Sequence, residues 1–323
     1  MNTFIKNILR LFVCVAVIAG AGAGSALSAP ATKKNLSQFV TVGSTNGAIL
    51  TSPDGVTWSQ YTTGTSSSMY GVAVNSAGLY VIAAGGGRVI TSSNGINWIM
   101  RTTTSLENLR GITINKAGLF VTVGNHEDIQ TSTDGINWTA RRVGLPYSGP
   151  LIGITVNQNG LFVAVGDRGL IMTSPDAINW TQRMSSTSYS LYGVAVNSAG
   201  EFIAVGSAGL NQTGNGFFLT SPDGVNWNYV STTLPSLNGI TTTSTDLFAA
   251  VGTNGLIVTS QGGVNWTRQT SGATQNFYGI TANKEGVFLT VGTAGIFRSV
   301  DGIVWTQTLS YGGTYLYGVT SFN

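Results

Sequence analysis

The chain has 323 residues, a formal net charge of +3 at pH 7 and only 8% charged residues. Hydrophobic residues make up 42% of it and aromatic residues 10%, a composition that excludes an intrinsically disordered protein. The positive charge does not indicate a nucleic-acid-binding protein, because removal of Lys6 and Arg10 with the leader described next lowers it from +3 to +1.

Residues 1–31 have the organisation of a secretory signal peptide. Lys6 and Arg10 precede an apolar run over residues 11–23, and small residues follow it. Cleavage after Ser28 and cleavage after Ala31 both fit the pattern. The run is short for a transmembrane span, although an uncleaved anchor is the alternative. We expect a secreted or periplasmic protein without stable membrane insertion, consisting of one domain over residues 32–323.

The leader also contains Cys14, the one cysteine of the chain. The mature protein would therefore have no thiol, no disulfide and no cysteine-based metal site, which suits an oxidising compartment.

One stretch, Thr51 to Trp58 with the sequence TSPDGVTW, recurs through the rest of the chain. The seven copies are spaced 39 to 47 residues apart and contain all seven tryptophans. Self-similarity of this period indicates a propeller or a solenoid. The length alone would favour two domains, but seven units of one kind predict a single closed domain. The later copies end at Trp98, Trp138, Trp180, Trp227, Trp266 and Trp305.

Each unit contains four short apolar segments separated by turn signals. Residues 70–75 exemplify the first segment, residues 39–43 the second, the third ends at Ser52, and Trp58 opens the fourth. Runs of four or five residues rich in β-branched side chains are typical of strands. The pattern predicts an all-β fold, a seven-bladed β-propeller of four-stranded antiparallel blades.

The two ends of the chain are each missing part of a unit. The first unit begins with its second segment at Phe39, and an extra first segment, residues 317–321, follows the last unit. We expect this C-terminal strand to complete the blade of residues 38–63 and close the ring, which removes open sheet edges. An open solenoid would need capping repeats instead.

The motif Ser52-x-Asp54-Gly55-x-x-Trp58 resembles the Asp-box, or bacterial neuraminidase repeat, of sialidases and several non-enzymatic propellers. Asn94, Ala177 and Gly262 depart from it in three copies. Photosystem II assembly-factor propellers are a second seven-bladed family with similar boxes. The aspartate is expected to bind backbone N–H groups of the turn and the tryptophan to pack between sheets. The box residues assigned this structural role are Asp54, Trp58, Asp134, Trp138, Asp223, Trp227, Asp301 and Trp305.

Connectivity places the turns between second and third strands, together with the links between blades, on one face of the ring, which we call the loop-rich face. Most charges outside the motif fall there, and the predicted ligand-binding residues in its turns are Arg88, His126, Asp128, Asp167 and Arg168. Among further charged residues, the links are predicted to carry Arg101, Glu107, Arg110, Arg141, Arg142, Arg183 and Arg268.

Four equivalent tyrosines precede the innermost strand, and Arg110 takes their place in one blade. If these side chains reach the mouth of the central channel, they form an aromatic ring able to hold a peptide or stack on sugars. The other interpretation is that they pack between blades. The four residues, predicted with Arg110 to bind ligand, are Tyr70, Tyr192, Tyr278 and Tyr317.

The leading functional hypothesis is a monomeric, non-catalytic propeller that binds a glycan or a protein through the loop-rich face. The alternative is a sialidase-like glycoside hydrolase or lyase, although residues 35–38 do not match the Phe/Tyr-Arg-Ile-Pro segment usual in sialidases. A third hypothesis is a structural extracellular protein without a discrete ligand.

No catalytic residue is assigned, and no cofactor, metal or nucleic acid is expected. The single histidine, His126, excludes a three-histidine metal site. Glu127 and Asp128 could bind Ca²⁺ weakly, but a solvated loop is the favoured interpretation of these residues.

Overall fold

The computed structural model describes residues 38–44, 47–141, 149–209, 214–312 and 315–322. The predicted signal peptide and both of its cleavage sites lie outside these residues.

Seven four-stranded antiparallel sheets form the blades of the propeller, numbered here by their position in the chain. Blade 1 contains β1 (Phe39–Gly43), β2 (Ala48–Ser52), β3 (Ser59–Thr62) and the last strand, β28 (Leu316–Ser321). Blade 2 contains β4 (Met69–Val74), β5 (Tyr80–Ala84), β6 (Arg88–Ser92) and β7 (Ile99–Thr102). Blade 3 contains β8 (Leu109–Ile114), β9 (Phe120–Gly124), β10 (Ile129–Ser132) and β11 (Thr139–Ala140).

The remaining four blades repeat the same order. Blade 4 contains β12 (Leu151–Val156), β13 (Phe162–Gly166), β14 (Ile171–Ser174) and β15 (Thr181–Arg183). Blade 5 contains β16 (Ser190–Val196), β17 (Phe202–Ser207), β18 (Asn215–Ser221) and β19 (Asn228–Pro235). Blade 6 contains β20 (Leu237–Thr242), β21 (Leu247–Gly252), β22 (Ile257–Gln261) and β23 (Thr267–Gln269). Blade 7 contains β24 (Phe277–Ala282), β25 (Phe288–Gly292), β26 (Gly295–Ser299) and β27 (Thr306–Leu309).

The C-terminal strand closes the ring, as the sequence predicts. β28 pairs antiparallel with β1, with Phe39 opposite Ser321 and Val42 opposite Gly318. The hydroxyl of Thr41 also donates a hydrogen bond of 2.9 Å to the carbonyl oxygen of Gly318. Innermost strands of neighbouring blades contact one another all the way round, including β28 with β4 and with β24. The predicted seven-bladed architecture is therefore confirmed.

The hydrophobic core lies between the blades. The second strands are buried along their whole length in most blades, whereas outer strands such as β3 and β7 are mainly exposed. One cluster combines Val163 and Val165 of blade 4 with Phe202, Phe217 and Trp227 of blade 5. Because each blade covers the apolar face of its neighbour, no blade can bury its core alone.

The repeated motif forms the turn between the third and fourth strands. In the first copy the hydroxyl of Ser52 accepts a 2.8 Å hydrogen bond from the Gly55 N–H, and Asp54 Oδ1 accepts bonds of 2.8 Å from Val56 and Thr57. These backbone donors hold the pKa of Asp54 below its ordinary value. Gly55 adopts a φ of 75°, a left-handed conformation that favours glycine.

The buried tryptophans complete this turn. The indole N–H groups of Trp138, Trp227 and Trp305 donate to the carbonyl oxygen of their own box glycine at 3.0 to 3.2 Å. The box residues therefore make turn and interblade contacts of the kind that the sequence predicts for them.

Candidate functional site: the channel mouth

A β-bulge lies near the start of every innermost strand. In blade 2, Met69 pairs with Ala84 and Gly71 with Ala83, so that Tyr70 is an extra residue with no partner on β5. A bulge of this kind re-aims the side chain of its extra residue. The same register shift occurs in all seven blades. The extra residues, called here the mouth ring, are Tyr70, Arg110, Ile152, Tyr192, Asn238, Tyr278 and Tyr317.

A glycine follows each mouth-ring residue. A β-carbon placed on Gly71 would lie 3.0 Å from the carbonyl oxygen of Arg110 in the next blade. On Gly111 it would lie 2.7 Å from the carbonyl oxygen of Ile152. At positions such as Gly111, glycine therefore permits the close approach of neighbouring strands. The seven glycines are Gly71, Gly111, Gly153, Gly193, Gly239, Gly279 and Gly318.

These glycines line a cavity of about 190 Å³ together with every mouth-ring residue except Ile152. Its floor is an aliphatic layer formed two residues after the mouth ring, from Val72 round to Val319. The mouth-ring residues stand near the start of the innermost strands, directly after the links between blades, so they lie on the loop-rich face. The four predicted tyrosines therefore reach the channel mouth, and Arg110 reaches it with them.

An arc of aromatic rings forms one side of the mouth. The ring centroids of Tyr278 and Tyr317 are 5.5 Å apart, and those of Tyr317 and Tyr70 are 5.7 Å apart. Tyr315, from the last link, stacks on Tyr317 with an interplanar angle of 14°. Burial raises the pKa of Tyr317, so its phenol stays neutral and can both donate and accept hydrogen bonds.

Arg110 extends this arc with a positive charge. Its Cζ lies 5.5 Å from the centroid of the Tyr70 ring, within the range of a cation–π interaction. Its Nε donates a 2.7 Å hydrogen bond to Asn125 Oδ1 in the turn after β9. The guanidinium is therefore held over the mouth from two sides.

The other side of the mouth is formed by Tyr192 and Asn238. Burial raises the pKa of Tyr192, and the nearby carboxylate of Asp167 adds to the shift. Asn238 is only 7% exposed, and its Nδ2 donates a 2.8 Å bond to the carbonyl oxygen of Phe277. Its Oδ1 is buried and has no hydrogen-bond partner among the described residues. A buried acceptor of this kind is satisfied by a ligand or by water.

Asn238 is not among the ligand-binding residues predicted from the sequence. Its signal is positional, because it stands where other units have tyrosine. The lack of a hydrogen-bond partner for its Oδ1 can be recognised only from the three-dimensional structure.

Five predicted ligand-binding residues do not line this cavity. Arg88 donates to Ser67 Oγ at 3.1 Å and to the carbonyl oxygen of Gly85 at 3.2 Å. His126 Nδ1 lies 3.0 Å from Glu107 Oε2. Local partners therefore hold these two side chains in the turns and links, away from the tyrosines of the mouth.

The other three turn residues are held in the same way. Asp128 accepts a 2.7 Å bond from Gln130 Nε2, and Arg168 Nε lies 4.0 Å from Asp167 Oδ2. Asp167 also accepts a hydrogen bond from Ser190, next to the mouth. The prediction that these five residues bind a partner on the loop-rich face stays a prediction.

Several arginines assigned to the links lie in outer strands instead. Arg101, Arg183 and Arg268 belong to β7, β15 and β23, and Arg141 follows β11. The Nε atoms of Arg101, Arg141 and Arg183 donate to a threonine hydroxyl of the third strand at 2.8 to 3.0 Å. These three form cross-strand contacts that stabilise the blade edge. Arg142 lies outside the described residues.

The mouth carries hydroxyl, guanidinium and amide groups. None of the described residues that line it is an aspartate or a glutamate.

Across the described ranges, no group of three or more His, Cys, Asp or Glu residues is placed to hold a metal ion. The same part of the chain contains no helix long and apolar enough to cross a membrane.

No family model and no curated protein matches the chain. Among solved structures, one titled "YCF48 bound to D1 peptide" is similar with a TM-score of 0.64 and 20% identity, covering 81% of this chain and 89% of that one. YCF48 from Cyanidioschyzon merolae is similar with a TM-score of 0.60 and 18% identity, covering 78% and 88%. Membership of the Asp-box family stays a prediction. Likeness at this level of identity shows the fold, and the chain is a seven-bladed β-propeller.

Proposed function

We propose that this protein is a non-catalytic binding propeller that recognises a protein partner at its channel mouth, through an extended segment of that partner. The observation that carries the proposal is the bulge in every innermost strand. The bulges bring the extra residues of six blades to the same cavity, and five of these six residues are tyrosine or arginine.

The chemistry of the mouth favours a peptide. Tyrosine and arginine are the residues most enriched at the energetic centres of protein interfaces. Tyr70, Tyr278 and Tyr317 offer ring faces for apolar side chains, Arg110 offers a positive charge, and Asn238 offers an acceptor for a peptide N–H. The printed title of one similar structure names a bound peptide, which supports a protein partner for this propeller as well.

A sialidase-like hydrolase is the weaker candidate. Glycoside hydrolysis needs a pair of carboxyl groups on either side of the scissile bond. The described residues that line the mouth include no carboxylate. We therefore assign binding rather than hydrolysis to this site.

We further propose that the protein works as a monomer in the periplasm or outside the cell. Support comes from the signal-peptide pattern of residues 1–31 and from the absence of cysteine after residue 14.

The test is selection of peptides from a random display library on the wild-type protein, with a glycan array probed in parallel. Selected peptides should bind Arg110→Glu at least about tenfold more weakly, a loss of about 1.4 kcal/mol. Arg268→Glu is the matched control, because it reverses an exposed charge on the outer strand β23 and should leave affinity unchanged.

Two outcomes would contradict the proposal. Peptides that bind Arg110→Glu as tightly as the wild type would place the site elsewhere. If the protein binds glycans on the array and no peptide is selected, its ligand is a carbohydrate and not a protein. If it hydrolyses a fluorogenic sialoside, it is an enzyme.

A further inference from the structure

A second cavity lies far from the channel mouth, on the opposite rim between blades 5 and 6. Its volume is about 400 Å³, within the range of small-molecule sites. Ile203 and Val230 of blade 5 and Phe248 and Trp266 of blade 6 form much of its wall. It opens beside the box turn of blade 6, the copy in which Gly262 replaces aspartate.

The cavity coincides with a departure from the repeat at Glu201. The residue before the first aromatic residue of the second strand is leucine or valine in five other blades: Leu79, Leu119, Leu161, Leu247 and Val287. There the side chain fills space beside the next box glycine. A β-carbon on Gly135 would lie 3.1 Å from Leu79 Cδ2, and one on Gly224 would lie 3.1 Å from Leu161 Cδ2.

Glu201 does not take the corresponding position beside Gly263. Its side chain is exposed, and its carboxylate accepts a 2.7 Å hydrogen bond from Asn197 Nδ2. Ile203 Cδ1 takes the place beside Gly263, and Phe248 is the next neighbour of that position. The result is an apolar pocket with a carboxylate at its rim.

Two more departures occur at the same interface. Asp246 adopts a φ of 61° in a turn position that other blades give to glycine, and its carboxylate accepts bonds of 2.8 and 2.7 Å from the N–H and hydroxyl of Ser198. This contact joins the turns of blades 5 and 6 at the edge of the cavity. In the box of blade 6, Ser260 Oγ is buried without a partner among the residues described, since Gly262 supplies no carboxylate. Concentrated breaks in a repeat are typical of functional sites.

Trp266 also differs from the other tryptophans. It stacks on Phe218 of blade 5, with ring centroids 4.2 Å apart and an interplanar angle of 12°. The indoles of Trp227 and Trp305 donate to their box glycines, whereas within the described part of the chain Trp266 has no such acceptor, as is also the case for Trp98 and Trp180. Trp266 is half-buried and lines the cavity.

We infer that this cavity binds a small ligand with an apolar body and a protonated amine. The body lies between Ile203, Phe248 and Trp266, where burial of apolar surface stabilises it. The amine pairs with Glu201, the one ionised side chain among the described residues that line the cavity. A cation beside the indole of Trp266 gains a cation–π interaction as well.

The experiment follows the seven indole N–H signals by ¹⁵N–¹H NMR, with the Trp266 signal assigned by Trp266→Phe. Phenethylamine is the probe, and 2-phenylethanol and 3-phenylpropanoate are its neutral and anionic counterparts. Phenethylamine should shift the Trp266 signal and saturate it at millimolar concentration, binding at least about tenfold more tightly than the alcohol, with the carboxylate weakest.

Two substitutions separate the parts of the inference. Glu201→Gln should bind the amine and the alcohol equally, because the charge is gone and the shape is kept. Glu201→Leu should lose the response to all three probes, because leucine fills the cavity. Glu285→Leu removes an exposed carboxylate from the corresponding turn of blade 7 and should bind like the wild type.

A Trp266 signal that does not move at about 10 mM phenethylamine, a concentration that detects millimolar binding, would overturn the inference. Equal preference for the amine in Glu201→Gln and the wild type would overturn the assignment of Glu201. Arg110→Glu should not change the response, so a failed mouth site and a failed rim site give different results.

Discussion

The carbonyl oxygen of Tyr278 lies 2.7 Å from the position that a β-carbon on Gly239 would occupy. Gly239 does not have a positive φ, so glycine is needed here for the close approach of the neighbouring blade and not for the backbone conformation. The bulge that directs a mouth-ring side chain into the channel also brings its backbone against the neighbouring blade. The glycine layer and the binding residues thus come from the same local distortion.

Gly239→Ala should lower the free energy of unfolding by about 1–3 kcal/mol, because the added methyl group forces blades 6 and 7 apart. Gly193→Ala is the matched control, since its nearest neighbour is a backbone atom at 3.3 Å. Urea unfolding of both variants makes the comparison. Equal losses would mean that close approach is not what selects glycine.

Ring closure gives a second prediction. Deletion of residues 315–323 removes β28, exposes the edge of β1 and uncovers Phe39 and Leu50, which pack with Leu316. We expect loss of cooperative thermal unfolding and aggregation through the free edge. Deletion of residue 323 alone is the control. A truncated protein that still melts cooperatively as a monomer would contradict closure by this strand.

The box aspartates predict acid sensitivity. Backbone N–H donors lower the pKa of Asp134, and they lower that of Asp223 to about 2. A lowered pKa means stability that is present above the unfolded-state value of about 4 and lost as pH falls through the folded-state values. The melting temperature should be nearly constant from about pH 7 to 5 and fall between about pH 4 and 2.

Asparagine separates charge from hydrogen bonding in these turns. Asn94 Oδ1 accepts bonds of 2.9 Å from Ile96 and Asn97, as the aspartates do in their own copies. The double variant Asp134→Asn and Asp223→Asn should fold at neutral pH and lose less stability in acid. An unchanged pH profile would assign the acid sensitivity to other carboxylates.

Buried tryptophans should dominate the stability of the interblade core. Trp227 is 8% exposed, lies 6.4 Å from the Phe202 ring and donates to Gly224 at 3.0 Å. Trp227→Ala should cost about 3–5 kcal/mol. Trp58 is half-buried and its N–H reaches Thr308 only at 3.4 Å, so Trp58→Ala should cost clearly less. The reverse order in denaturant unfolding would show that burial does not set the cost.

Glu201 gives a stability prediction independent of any ligand. Glu201→Leu places an apolar side chain where blades 2, 3, 4 and 6 have leucine, and it should raise the free energy of unfolding by about 0.5–2 kcal/mol. Glu285→Leu should be neutral. A destabilised Glu201→Leu protein would show that the space between blades 5 and 6 is not a cavity that leucine can fill.

The sequence alone is sufficient to predict the number of blades, the strand order and the closure by the last strand. Those features depend on local periods that occur seven times, so each copy supports the others. It also determined that the equivalent tyrosines share one environment, because equivalent positions in a closed ring lie at the same height around the axis.

The contacts between polar side chains, in contrast, become known from the three-dimensional structure. Arg88 and His126 bind partners within their own turns and links, and Arg101 bonds across a strand pair, because side-chain partners depend on rotamers and distances that no repeat pattern encodes. The orphaned oxygen of Asn238 and the pocket at Glu201 arise from residues 39 or more positions apart in the chain, such as Asn238 and Phe277. Packing between blades brings such residues together, and these contacts cannot be predicted from the spacing of residues within one unit.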